Sequence, residues 1–236
     1  MNRNRMIILN LSLFFVISLV FMGCAPQVIE TAGPSEASDQ NSVVLTLVGP
    51  DGEKTFTMEQ LKALPVSEGQ AGIISSTGQI SIPERFKGVS IKDLVSSLNV
   101  PFEPSMGVTV TAEDGYSMTL SYDQIINGSF IAYDPAAGKE LPLHDPLTAI
   151  IAYERSDQPL NAKEEGALRL AVISAKNNQV VDGHWSVKWV NKIEVKTVGE
   201  TWVLDLTGAL SSPVTRDSFQ SCGSPSCHGT AYQDEN

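Results

Sequence analysis

The sequence predicts an α+β domain with a mainly β core, and three observations support this fold class. Short runs of β-branched and other apolar residues recur along the chain, and short helix signals fall between them. The two kinds of segment do not alternate with the regular period of a parallel α/β sheet. The chain has 236 residues, 42% of them hydrophobic, so it is long and apolar enough to bury a sizeable core.

Local signals mark the first elements of the domain. Residues 43–48 (VVLTLV) form a β-branched run that predicts a strand, and residues 49–52 (GPDG) predict a turn after it. Thr57 and Gln60 have the spacing of a capping box, so a short helix is expected to begin at Thr57 and to end at Pro65.

Two further helices are expected to begin at serines. Ser90 is a good N-cap for a helix through Leu98. Ser121 with Gln124 forms a second capping box, and residues 127–128 (NG) end that helix. Residues 73–82 are expected to be extended with a break at Gly78, and the remaining predicted strands are residues 108–112, 116–120, 147–153, 168–173 and 187–195.

The charge balance excludes a general nucleic-acid binder. Lysine and arginine total 16 residues against 27 for aspartate and glutamate, which gives a formal net charge of -11. An acidic surface repels phosphate backbones, whose recognition depends on clustered basic side chains.

The N-terminus has the pattern of a bacterial lipoprotein signal. Arg3 and Arg5 precede an apolar run over residues 6–22, and a small residue, Gly23, stands directly before Cys24. The arrangement resembles the lipobox, in which the cysteine is acylated and becomes the mature N-terminus. We therefore expect an extracytoplasmic protein that is lipid-anchored to the cell membrane or the outer membrane. The alternative is a plain membrane-spanning anchor, since about seventeen apolar residues just span a bilayer.

The chain divides into four predicted segments. Residues 1–24 are the signal peptide with its lipobox, and residues 25–42, rich in Ala, Ser, Pro and acidic residues, form a flexible tether. Residues 43–197 form the folded domain. Residues 198–236 are a C-terminal extension, which could be a truncated second copy of the first strand–helix unit because VLTLVG recurs as VLDLTG; chance similarity is the alternative.

Five short segments carry a family resemblance. They are residues 86–89 (FKGV), 114–117 (DGYS), 149–154 (AIIAYE), 166–170 (GALRL) and 186–190 (SVKWV). In their order and spacing, within a stretch from about residue 43 to residue 197, they resemble the oxidoreductase molybdopterin-binding domain of the sulfite oxidase type. The resemblance implies the mainly β fold of that family and a molybdopterin cofactor.

The resemblance also implies which residues surround the cofactor. Arg169, Ser186 and Lys188 match family positions around the cofactor phosphate, and from chemistry alone Arg169 and Lys188 form either an anion clamp or two solvated basic residues. In the family one protein cysteine ligates the molybdenum, but the matching segment, residues 72–78, contains no cysteine. Residues 164–165 (EE) stand where the family has a histidine.

The C-terminal extension carries a second candidate site. Cys222 and Cys227 are separated by four residues, and His228 follows directly. This pattern resembles a longer-spaced variant of the c-type haem attachment motif, in which two thiols bind the haem and the histidine ligates the iron. The alternatives are a disulfide or free thiols in an oxidising compartment, or a metal such as zinc with His228 as a ligand.

Three functional hypotheses follow from the sequence. The first is an exported lipoprotein whose molybdopterin-binding-like domain lacks the ligating cysteine and acts as a binding or accessory module of extracytoplasmic redox metabolism. The second is a molybdopterin-dependent oxidoreductase with atypical cofactor binding. The third is a membrane-tethered c-type haem electron carrier that docks a redox protein partner, with electrostatic steering toward a basic surface.

Overall fold

The structure is a computed structural model that describes residues 42–198 and, for the backbone alone, residues 203–206 and 212–215. The elements in chain order are β1 (Val43–Gly49), β2 (Gly52–Thr57), α1 (Met58–Lys62), β3 (Val66–Ile74), β4 (Ile80–Ser90), α2 (Ile91–Ser96), β5 (Met106–Ala112), β6 (Ser117–Ser121), α3 (Tyr122–Asn127), β7 (Ala132–Tyr133), β8 (Thr148–Arg155), β9 (Gln158–Pro159), β10 (Arg169–Ile173), β11 (Val180–Asp182), a 3₁₀ turn (Gly183–Trp185), β12 (Val190–Thr197), β13 (Val203–Leu206) and β14 (Ser212–Thr215). The predicted fold class, α+β with a mainly β core, is confirmed.

The first sheet joins the two ends of the domain. Its strands lie in the order β2, β1, β12, β5, β6, and β1 runs parallel to β12 while the other neighbours are antiparallel. Leu47 of β1 stands opposite Ile193 of β12, and both side chains are fully buried. The first and last strands of the domain therefore pair directly with each other.

The second sheet partly closes on itself. Its strands lie in the order β10, β8, β4, β3, β11, β7, with the short β9 on β8. Gln70 of β3 donates a backbone hydrogen bond to Ser174 O at 2.8 Å, and Ser174 N donates to Gln70 O at 2.9 Å. Because Ser174 directly follows β10, these two bonds connect β3 back to β10 and close a ring of four strands.

Two apolar clusters fill the domain. The larger one lies between the two sheets, because it combines Leu45 and Val110 of the first sheet with Ile151 and Leu170 of the second. The smaller cluster draws on all four strands of the closed ring; its members are Ala71, Phe86, Ile150, Ala152, Leu160, Ala171 and Ile173. Along β10 the side chains alternate between the clusters, which is the period expected of a strand buried on both faces.

The predicted helix starts are confirmed in detail. Thr57 Oγ1 accepts from Gln60 N, and Gln60 Oε1 accepts from Thr57 N at 2.9 Å. Ser121 and Gln124 form the same reciprocal pair, and Gly128 ends that helix in the left-handed conformation at φ 68°. These contacts join residues three apart, so they form from local sequence alone.

Several predicted boundaries were wrong. The helix from Ser90 stops at Ser96 rather than Leu98, because Leu98 N donates to Val95 O, three residues back, and Asn99 has a φ of 56° that a helix does not allow. The break expected at Gly78 is a tight turn in which Ser75 Oγ accepts from Gln79 N at 3.0 Å, but the strands on either side of it, β3 and β4, extend well beyond residues 73–82. The last predicted strand begins at Val190 rather than residue 187, because Trp189 has a φ of 50° that a strand does not allow.

The segment boundaries outside the domain stay predictions. The signal peptide and the tether, residues 1–24 and 25–42, lie outside the described residues except for Ser42. In the extension, β13 falls on the segment that resembles β1 and pairs antiparallel with β14. Across the part of the chain that is described, no helix is long and apolar enough to cross a membrane.

Gly88 offers a test of how tightly the closed ring is packed. A Cβ added there would lie 2.1 Å from Ile151 O and 2.6 Å from Ala152 Cα, both backbone atoms of the adjacent β8. We expect Gly88→Ala to lower the free energy of unfolding by roughly 1–3 kcal/mol or more, because β4 and β8 must separate. Gly183→Ala is the control, since its nearest neighbour would be Ile74 O at 3.3 Å. Equal losses for the two variants in urea unfolding would contradict this packing.

Candidate functional site

An open cleft with a volume of about 450 Å³ lies where β3, β4, β8 and β10 meet the 3₁₀ turn. The apolar lining residues include Ile73, Ile80, Phe86 and Trp185. The polar lining residues are Ser81, Glu84, Arg155, Arg169, Ser186 and Lys188. The structure therefore brings all three predicted cofactor-binding residues, Arg169, Ser186 and Lys188, to one cleft.

Arg169 is the most buried cation of this cleft. It is the first residue of β10, its relative exposure is 8%, and its guanidinium lies 5.2 Å from the centroid of the Phe86 ring. Nη1 donates to a carboxylate oxygen of Glu165, and Nη2 donates to Ser186 Oγ. The third donor, Nε, is buried and reaches no acceptor among the described residues. Arg169 is thus held on two sides by the protein itself.

Glu165 connects Arg169 to a chain of alternating charges. The Glu165 side chain is 2% exposed, and its Oε1 lies 2.8 Å from Arg155 Nη2. Arg155 Nε in turn lies 3.3 Å from Glu84 Oε2 at the surface. The formal charges of two carboxylates and two guanidiniums therefore cancel within this chain of contacts, and charged side chains can be buried when they are paired in this way.

The backbone around Glu165 is tightly fixed. Glu165 N donates to Asn161 O at 2.8 Å, and Glu165 O accepts from Trp189 N at 2.7 Å. The next residue, Gly166, has a φ of 79°, and a Cβ there would lie 2.6 Å from Trp189 Cα. Only glycine fits this position, so the segment before β10 packs directly against the start of β12.

Burial and the neighbouring carboxylate shift the pKa of Arg169 in opposite directions. Burial lowers the pKa of Arg169 below its ordinary value, and the Glu165 carboxylate opposes that shift. Because an arginine starts from a very high pKa, the guanidinium keeps its charge at neutral pH.

Lys188 lies apart from this pair although it lines the same cleft. Its side chain is exposed, and Nζ donates to the backbone oxygen of Glu164 at 3.4 Å. The same Nζ lies 5.8 Å from the centroid of the Trp189 ring. The structure therefore joins Arg169 to Ser186 by a direct hydrogen bond and places Lys188 at the rim.

The segment that matches the family's cysteine loop contains hydroxyls. Ser75 Oγ and Thr77 Oγ1 lie 2.9 Å apart, and Ser75 Oγ also accepts from Gln79 N. These bonds hold the turn between β3 and β4. Within residues 42–198, no group of three or more His, Cys, Asp and Glu side chains has an arrangement that could hold a metal ion.

The other predicted site residues lie outside the described part of the chain. These are Cys24, the lipidation candidate, and Cys222, Cys227 and His228, the haem, disulfide or metal candidates. Their assignments stay predictions.

Sequence reasoning missed Arg155, Glu84 and Phe86 as parts of the site. The strand that ends in Arg155 and the segment that contains Phe86 were both noticed for their family resemblance, but nothing local in them predicts a shared cleft. Glu165 was noticed only because residues 164–165 stand where the family has a histidine; its direct contact with Arg169 required the three-dimensional structure.

The fold and the cleft together define a ligand-binding domain, in which a two-sheet β scaffold brings a guanidinium, a hydroxyl and an ammonium to one open site. The model of the oxidoreductase molybdopterin binding domain family matches residues 32–204, and the chain belongs to that family. The predicted resemblance is confirmed, and the matched range contains the whole predicted domain. The family relationship points to molybdopterin as the cofactor of such domains.

The solved structures include a similar chain. The crystal structure of the sulfane dehydrogenase SoxCD from Paracoccus pantotrophus matches with a TM-score of 0.48 and 15% sequence identity, over 68% of this chain. The match spans 39% of the SoxCD chain, well under two thirds of its length. No curated protein sequence matches this one.

The buried ion pair gives a direct stability prediction. Glu165→Gln should lower the free energy of unfolding by about 3–5 kcal/mol, because it leaves the Arg169 charge buried without its carboxylate. The neighbouring Glu164→Gln is the matched control and should change stability by less than about 0.5 kcal/mol, since its side chain lies at the surface. Denaturant unfolding of both variants is the measurement, and equal effects would show that the ion pair is not buried as described.

Proposed function

We propose that the protein is an exported, lipid-anchored protein whose domain serves as a binding or accessory module of extracytoplasmic redox metabolism. In this proposal it is not an enzyme with thiolate-ligated molybdenum. The observation that carries the proposal is the pairing of Arg169 with Glu165, since Arg169 is the residue that matches the family's phosphate-binding arginine.

The donor set of the cleft does not fit the family's cofactor. None of the chain's three cysteines falls between residues 25 and 221, so the cleft offers no thiolate. The hydroxyl of Ser75, in the matching segment, already holds a turn, and a neutral hydroxyl is a poor substitute for a soft thiolate. A cofactor phosphate would also meet an arginine that already donates one N–H of Nη1 to Glu165 and one N–H of Nη2 to Ser186.

A second candidate function is a molybdopterin-dependent oxidoreductase with atypical cofactor binding. Its support is the convergence of Arg169, Ser186 and Lys188 on one cleft of about 450 Å³. In that case these three residues would hold the cofactor without help from a cysteine.

Elemental analysis separates the two candidates. The full-length protein is purified from its native host, and molybdenum and extractable pterin are measured per chain. We expect both to be far below one per chain. Stoichiometric molybdenum with pterin would overturn the binding-module proposal. In that case Arg169→Ala and Lys188→Ala should each weaken cofactor retention by about 1.5–3 kcal/mol, which is typical of charge-assisted hydrogen bonds.

The proposed anchor and partner rest on the sequence. The charge, apolar run and cysteine of residues 1–24 support lipid anchoring, which two or more acyl chains make stable. The net charge of -11 supports a redox protein partner with a basic docking surface, whose association would weaken as salt screens the attraction.

Cys24→Ser tests the localisation. The variant should lose acylation and should appear as a soluble or uncleaved form, because the acylated cysteine would be the mature protein's attachment to the membrane. Fractionation of cells with mass spectrometry of the N-terminus is the measurement, and Ser42→Ala in the predicted tether is the control. Membrane association that survives both the substitution and signal cleavage would contradict the proposed lipoprotein.

A further inference from the structure

The Glu165 carboxylate has the contacts that a bound oxyanion would make. Its two oxygens face two different guanidiniums, Oε2 toward Arg169 Nη1 and Oε1 toward Arg155 Nη2 at 2.8 Å. Ser186 Oγ takes a further donor of Arg169. Arginine binds a phosphate through just such N–H groups, so a phosphate and Glu165 would compete for the same donors.

The charged groups that contact Arg169 are already balanced, and Lys188 at the rim of the cleft adds one positive charge. Glu84, Arg155, Glu165 and Arg169 form one connected chain, and their formal charges cancel. A phosphate that approached Arg169 would therefore meet a neutral cluster and the like charge of Glu165. Repulsion between like charges is strong where water is largely excluded, as it is at a carboxylate with 2% exposure.

Glu165 also has little freedom to move aside. Its backbone N and O are both hydrogen-bonded, to Asn161 and Trp189, and Gly166 packs against Trp189 without room for a side chain. Displacing the Glu165 carboxylate from Arg169 would therefore disturb this packing.

We propose that Glu165 is an internal counter-anion that occupies the phosphate position on Arg169, so that the cleft selects ligands without a phosphate group. The ligand class that fits what remains is a partly apolar molecule with one polar or carboxylate end, whose apolar part Ile73, Ile80 and Trp185 of the cleft lining would contact. Lys188, exposed at the rim, supplies a hydrogen-bond donor for a polar end of the ligand. This inference rests on the proposed function in assuming that the cleft binds a ligand.

The test measures binding of inorganic phosphate to the full-length chain by calorimetry and by the shift of the thermal midpoint. Wild type and the control Glu164→Gln should show no saturable binding over the range of phosphate concentrations that saturates Glu165→Gln. Glu165→Gln should bind phosphate at least about tenfold more tightly, since the arginine donors become available for charge-assisted hydrogen bonds. Phosphate should also raise the thermal midpoint of Glu165→Gln and not that of the control.

Three results would overturn the inference. The first is saturable phosphate binding by wild type that Arg169→Gln removes. The second is a folded Glu165→Gln that binds phosphate no better than wild type. The third result applies if Glu165→Gln does not fold alone, in which case Glu165→His is made as well. Folding of either variant on addition of phosphate would support the inference. Failure of both variants to fold at every phosphate concentration would overturn it. The molybdenum content of the native protein is a separate measurement, so the proposed function can fail or stand independently.

Discussion

The backbone contact between Gln70 and Ser174 determines how the rest of the second sheet is arranged. Without these two hydrogen bonds β10 would be an edge strand with unpaired backbone groups, and its face toward the smaller cluster would be open to water. With them, β10 is paired along one side and tied to β3 at its end, and all five of its residues are buried. Arg169, the first of these residues, is therefore fixed where the closed ring meets the cleft.

A buried guanidinium at that place requires a counter-charge, and the chain supplies it from within. Glu165 comes from the loop just before β10, so the arginine and its carboxylate are placed by the same short segment. The pair costs desolvation energy that a hydrophobic pair would not. In exchange the pair gives selectivity between ligands, because an arginine that a carboxylate already neutralises attracts a phosphate less than an unpaired arginine does.

Sequence reasoning succeeded where the determining contacts are local. The capping boxes at Thr57 and Ser121 need only residues three positions away, and both helices begin as predicted. It failed for β2, β7, β9 and β11, which are short or charged and become strands through partners far along the chain. For the cleft, the family resemblance identified Arg169 and Ser186, but the contact of Arg155 with Glu165 depends on tertiary packing that no spacing rule predicts.

The parallel pairing of β1 with β12 has a kinetic consequence. In the first sheet β1 lies between β2 and the central strand β12, and β12 is the last strand of the domain. During synthesis the hydrogen bonds between β1 and β12 can form only after nearly the entire domain has emerged from the ribosome. Contacts of such long sequence separation slow folding, because much loop-closure entropy is lost before they stabilise the chain. The domain therefore stays incompletely folded until β12 has emerged from the ribosome.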